Sequence, residues 1–208
     1  ADPENALIWR MSPRRLDAEA TRDAVLHVAG RLDLTPPLAS PVTLHNDKPI
    51  DGPNVFGVSE KELNADTTHR SIYLPIVRDR VPEVLAMFDF AEPSLVTAKR
   101  ESTSVPAQAL FLLNSPFVAD QAGALADRLL RWRASGVSAD EAAQRKERVN
   151  VAYWLTLTRP PTASELKAAE DFFGKFLGSQ AASPALQAAA WTSYCRALFA
   201  SAEFRQLN

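Results

Sequence analysis

Proline placement constrains this chain more than any other feature. A proline lacks the backbone N–H and clashes with the preceding turn, so it is excluded from helix interiors and welcome only at a helix start. Seven of the chain's prolines fall between Pro36 and Pro82, with Gly52 and Gly57 among them. Pro36, Pro37, Pro41, Pro49 and Pro53 cannot sit within helices, so residues 33–68 read as one long irregular loop, longer than most connections in compact domains. Several other prolines sit where helices begin. Ser12-Pro13, Ser115-Pro116 and Ser183-Pro184 each pair a capping hydroxyl with a first-turn proline, and Pro82 and Pro106 open short apolar segments.

Two further starts carry capping-box spacing, Ser138 with Glu141 and Thr162 with Glu165. Helical periodicity follows each start: Leu16, Ala20 and Ala24 in the first, then Val118, Ala122, Leu125 and Leu129 after Pro116. Leu7 to Met11 suggests a short helix ahead of them. Gly30, Gly136 and Gly178 are expected joints. Ser71 to Val77 is the best strand candidate, confined to an edge by Pro75. The expected fold is mainly α: a single, incomplete multi-helix domain over 1–208, with the loop 33–68 inside it and at most one or two short strands.

Composition narrows the function classes. The formal net charge of -2 offers no basic excess for phosphate neutralisation, which argues against nucleic acid as a partner. No apolar run is long enough to span a bilayer. Cys195 is the only cysteine, so an intrachain disulfide, a Cys-rich metal site and haem attachment through paired cysteines are all excluded. Non-covalent haem would need His27, His45, His69, Met11 or Met87 as an axial ligand, and a lone His on a helix is more often structural. Asp23 and His27, four apart on one helix face, could reach one ion or form a hydrogen-bonded pair, but no His-Glu-x-x-His pattern supports the metal. His45, Asn46, Asp47, Asp51 and Asn54 cluster in the loop without EF-hand spacing, and turn chemistry explains them without an ion. No metal and no cofactor are expected in this chain. Ala1 in place of an initiator Met reads as a processed chain or an excised domain.

Four blocks together carry a family resemblance. They are Asp2-Pro3-Glu4-Asn5 with Trp9-Arg10-Met11 and Arg14 to Ala24; Arg70 to Pro75 with Phe88-Asp89; TSVPAQALFLLNSPF over 103–117; and AYWLTLTRPP over 152–161, with 198–204 near the end. The chain resembles the C-terminal domain of unknown function of planctomycete and related bacterial proteins that carry cytochrome c-like domains upstream. The resemblance implies an exported, multidomain parent with haem in its other domains, and it implies no known reaction. Many members have a Cys in the loop before the Thr103 block. Ser94, Leu95 and Val96 stand there in this chain, which puts a thiol role in doubt.

Two segments hold the side chains best suited to a site. On the segment Arg14–Asp23, read as helix, Arg15, Glu19, Arg22 and Asp23 lie three and four apart and would share a face, as a salt-bridge network or as an acid with an arginine anchor. Around the polar loop that follows Phe88 stand Asp89, Arg100, Thr103 and Gln108, with Glu101 between them. The Arg100 fork suits a carboxylate or sugar hydroxyls, and Gln108 suits either a ligand or a buried turn. No nucleophile elbow, phosphate loop or dinucleotide fingerprint is present. The expected role is a non-catalytic binding or interaction module, with the parent's upstream domains and a polysaccharide or protein ligand as partners. The alternatives are part of a redox or hydrolytic enzyme acting on carbohydrate-type polymers, and a docking domain for electron transfer.

Overall fold

The fold was analysed in a computed structural model, which describes residues 2, 5–8, 11, 14–38, 67–74, 76, 81–132, 140–178 and 183–207. Among them are seven α-helices: α1 (Ala18–Ala29), α2 (Glu83–Met87), α3 (Pro106–Asn114), α4 (Pro116–Arg131), α5 (Glu141–Leu157), α6 (Ala163–Leu177) and α7 (Pro184–Ala200). Two short strands, β1 (Arg14–Arg15) and β2 (Gln206–Leu207), pair antiparallel, with Arg14 opposite Leu207 and Arg15 opposite Gln206. The protein is mainly α-helical, as its proline and capping pattern predicts.

Backbone contacts divide the chain into two compact units. The first comprises Ala1–Leu26, Leu32–Gln108 and Arg205–Asn208, and the second His27–Arg31 and Ala109–Phe204. The first unit is built around Ala18, Val25 and Leu26 of α1, with Leu74, Leu85 and Phe88 also buried. Asp17 caps α1 by accepting from the Ala20 N–H at 2.9 Å. The ends of the long loop are tied together: Asp33 N–H donates to Thr68 O at 2.9 Å, and Asp33 bridges in parallel to His69. The loop reading itself, with His45, Asn46, Asp47, Asp51 and Asn54, falls largely on residues 39–66, outside the described residues.

The second unit centres on α4 packed along α7, the most extensive pairing among the described helices. Val118, Ala122, Leu125 and Leu129 of α4 and Ala190, Cys195, Leu198 and Phe199 of α7 are all buried. Helix α6 adds Phe173, fully buried, whose ring lies 4.6 Å from Trp191 and 5.2 Å from Tyr194 between centroids. The Thr162 capping box is complete: its hydroxyl accepts from the Glu165 N–H, and the Glu165 carboxylate accepts from the Thr162 N–H at 2.7 Å. Ser183 caps α7 by accepting from the Leu186 N–H at 3.2 Å. Gly30 ends α1 at φ +74 and Gly178 follows α6 at φ +69, backbone conformations that favour glycine.

Four local expectations need correction. Ser71–Tyr73 forms a 3-10 turn in place of the expected strand, and Pro75 and Val77 lie outside the described residues. Helix α1 starts at Ala18, so Arg14 and Arg15 belong to a strand; the Ser12-Pro13 start lies outside the described residues. Helix α5 is capped by Asp140, whose carboxylate accepts from the Ala143 N–H at 3.2 Å, and Ser138 and Gly136 are outside the described residues. Of the helix expected at Leu7–Met11, Trp9 and Arg10 lie outside the described residues, while Leu7, Ile8 and Met11 are not helical and Ala6 and Leu7 form a turn in which Asp2 accepts from the Leu7 N–H at 2.7 Å.

Candidate functional site

All eight candidate side chains lie in the first unit, and its fold sorts them into three connected groups. The first is centred on Asp89. Helix α2 ends at Met87, and Asp89 turns the chain through φ +64, which a short polar side chain tolerates better than most. That turn brings its carboxylate to Thr103. Asp89 Oδ2 accepts from the Thr103 N–H at 2.8 Å, and Oδ1 accepts from the Thr103 hydroxyl at 2.7 Å. Asp89 Oδ2 also accepts from Arg15 Nη1 at 2.9 Å, although Arg15 is 74 residues away in sequence. Both charged partners are largely buried.

Gln108 extends the group. Fully buried on the first turn of α3, it donates through Nε2 to Met87 O at 3.2 Å and to Thr103 Oγ1 at 3.3 Å. Its Oε1 accepts from Arg205 Nη1 at 3.1 Å. Arg205 adjoins β2, whose partner β1 carries Arg15, and the Leu16 N–H donates to Arg205 O at 2.8 Å. Arg15, Asp89, Thr103, Gln108 and Arg205 thus form a closed ring of hydrogen bonds completed through the backbone of the two strands.

In the second group, Arg100 grips Glu19 with both ends of its fork, Nη1 to Oε2 at 2.6 Å and Nη2 to Oε1 at 2.8 Å. The Arg100 guanidinium also lies over the Phe90 ring, 5.2 Å from its centroid. The third group joins α1 to the 3-10 turn. Asp23 Oδ1 accepts from the Ser71 N–H at 2.7 Å and from the Ser71 hydroxyl at 2.6 Å. Buried Arg22 donates to Thr67 O at 2.6 Å and His69 O at 3.0 Å, holding the end of the long loop. His27 is exposed one turn beyond Asp23.

These partners decide the protonation of the carboxylates. Burial is the largest influence on Asp89 and pushes its pKa up, but the two Thr103 hydrogen bonds, the Arg15 charge and Gln108 together outweigh it, and the net shift is down. Glu19 behaves alike: burial raises its pKa, and the Arg100 hydrogen bonds and charge bring it below the ordinary value. Burial lowers the pKa of Arg22 and of Arg205, the latter also because Arg15 is a nearby like charge. The groups therefore contain ionised carboxylates held by arginines and hydroxyls, an arrangement suited to fixing geometry and to binding.

Arg205, Ser71 and Phe90 join these groups without having been picked out by sequence spacing. Arg205 and Arg15 are brought together by a two-residue strand pairing between distant segments, which leaves no periodic signal. Among the described residues no group of three or more His, Cys, Asp or Glu side chains is placed to hold a metal ion. No described helix is long and apolar enough to cross a membrane.

Comparison with curated proteins gave no match, and comparison with solved structures gave none. The PSD1 family, described as a protein of unknown function (DUF1553), matches residues 1–173, which take in all eight candidate residues but not Arg205. With most of its length matched, the chain belongs to the PSD1 family of proteins of unknown function (DUF1553).

Proposed function

We propose that this chain is a non-catalytic binding and interaction module of a larger exported protein, one of the planctomycete type with cytochrome c-like domains upstream. The observation that carries the non-catalytic part is the state of the carboxylates. Asp89 and Glu19 are engaged by two or more donors each, and both titrate below their ordinary values. Acid–base chemistry on a carbohydrate polymer works best with a carboxyl whose pKa is raised toward neutrality, and these two are shifted the other way. The parent architecture and the export rest on the four-block resemblance, from Asp2 to Phe204. The partners are then the upstream domains of the same protein, with a polysaccharide or a protein chain as ligand, and haem belongs to those other domains.

Two measurements test the proposal. Calorimetric titration of this chain with the separately produced remainder of its gene product is expected to give saturable binding, and its absence would overturn the docking role. Turnover of a carbohydrate polymer by the complete gene product is expected to be unchanged in Asp89→Asn and Arg100→Ala, with folding checked by circular dichroism. Loss of turnover in folded variants would overturn the non-catalytic role.

A further inference from the structure

The ring around Asp89 has an imbalance that the Arg159 and Arg100 clusters lack. Arg148 and Arg196 each bury an Nε without a partner, but among the described residues only Arg15 leaves a whole Nε and Nη2 edge so. In the second unit, Arg159 pairs Nε and Nη2 with Glu203 and Nη1 and Nη2 with Glu165, so its whole fork is engaged. Arg100 likewise gives both terminal nitrogens to Glu19. Among the described residues Arg15 commits only Nη1, to Asp89, and its buried Nε and Nη2 find no hydrogen-bond partner there. Arg205, 8% exposed, commits Nη1 to Gln108, and its Nε is also buried without a partner among the described residues. A buried N–H without an acceptor is costly, and more so when it belongs to a cation.

The identity of the unpaired atoms is informative. Nε and Nη2 form one edge of a guanidinium, with two N–H bonds pointing the same way. That edge matches the two oxygens of a carboxylate in a bidentate pair. Charge points to the same ligand. Arg15 and Arg205 contribute two positive charges and ionised Asp89 one negative, so the ring carries a net charge of about +1 at neutral pH by the ordinary ionisation of these groups. One monoanion neutralises it, whereas a dianion would overshoot. Burial and the Arg15 charge both lower the pKa of Arg205, so a bound anion would relieve a strain already present in the ring.

We propose that Arg15 and Arg205 form a recognition site for a single carboxylate group, bound edge-on by Arg15 Nε and Nη2 and assisted by Arg205 Nε. Asp89, Thr103 and Gln108 are positioning residues: they fix the two guanidiniums and leave those N–H groups for the ligand. This names the ligand class of the module described above and rests on that reading's ionised Asp89. It is tested by anion binding to this chain alone, whereas that reading is tested by docking and turnover, so the two can fail separately.

The test is a titration of the 208-residue chain with sodium acetate at constant ionic strength, balanced with sodium chloride and followed by the arginine Nε–H resonances in 15N-correlated NMR. Two Nε–H resonances, those of Arg15 and Arg205, are expected to shift together and saturate. Arg15→Lys keeps the charge but loses the edge, and is expected to weaken acetate binding by about tenfold or more. Inorganic phosphate above pH 7.5, mostly a dianion, is expected to bind more weakly than acetate. Shifts that grow linearly without saturating would overturn the site, and that result needs no variant to fold. Equal affinity in folded Arg15→Lys would overturn the edge-on pairing, and tighter binding of phosphate would overturn the carboxylate assignment.

Discussion

A single side chain, Asp89, organises the first unit's polar cluster. It stands at positive φ just past α2, and its two oxygens receive three hydrogen bonds, from the Thr103 backbone, the Thr103 hydroxyl and Arg15. Removing it would leave a largely buried guanidinium without its counter-charge. Asp89→Ala is therefore expected to destabilise the chain by about 3 kcal/mol in urea unfolding, the range for breaking a buried pair from one side. Asp89→Asn should cost less, because Asn tolerates the left-handed backbone and keeps one acceptor oxygen. The identity of such residues was legible in the sequence, and their partnerships were not. Arg15, Glu19, Arg22 and Asp23 are expected from spacing to share one helix face, but Arg15 lies on β1, Glu19 reaches Arg100, and Arg22 and Asp23 both reach the segment 67–71. Spacing along a chain predicts neighbours within an element, and long-range partners are chosen by the fold.

The helices show the opposite balance. Their starts follow from local chemistry, so Thr162, Ser183, Pro116 and Pro106 mark them in the sequence and the structure begins helices beside them. Where a competing cap lies downstream, the helix begins a few residues later: Asp140 caps α5 in place of Ser138, and Asp17 caps α1 in place of Ser12. The α6 start is also acid-sensitive. Arg159 and the Thr162 backbone hold the Glu165 carboxyl down to about 2, against an ordinary value of 4.5. A carboxyl depressed in the folded state stabilises fully above its unfolded pKa and loses that contribution as pH falls through the folded value. Stability should therefore decline from about pH 4.5 toward pH 2, and Glu165→Gln should make that decline shallower in thermal melts across the window. Packing of α6 on α7 depends on Phe173, fully buried against Trp191 and Tyr194. Phe173→Ala is expected to cost about 3–5 kcal/mol by denaturant unfolding, the usual loss for an aromatic removed from a core.

At the scale of the whole chain, mainly helical architecture was readable from prolines, caps and apolar periodicity, because each is local. The return of the C-terminus was not readable. Residues 205–207 belong to the first unit although they follow the last helix of the second, and they enter it through a two-residue strand with little propensity of its own. Deleting residues 205–208 removes β2 and the Arg205–Gln108 bond. Amide exchange should then accelerate in Leu16, whose N–H bonds Arg205 O, and around Gln108, while the α4–α7 pair stays protected.

The central claim is that the carboxylates of the first unit are ionised anchors of a binding site and not acids or bases in waiting. Carbon-13 NMR titration of the Asp89 and Glu19 carboxyl groups in the intact chain tests it most directly. Both are predicted to titrate below their ordinary values of 3.8 and 4.5. A carboxyl at either position that titrates near pH 7, where a general acid or base works best, would contradict the claim.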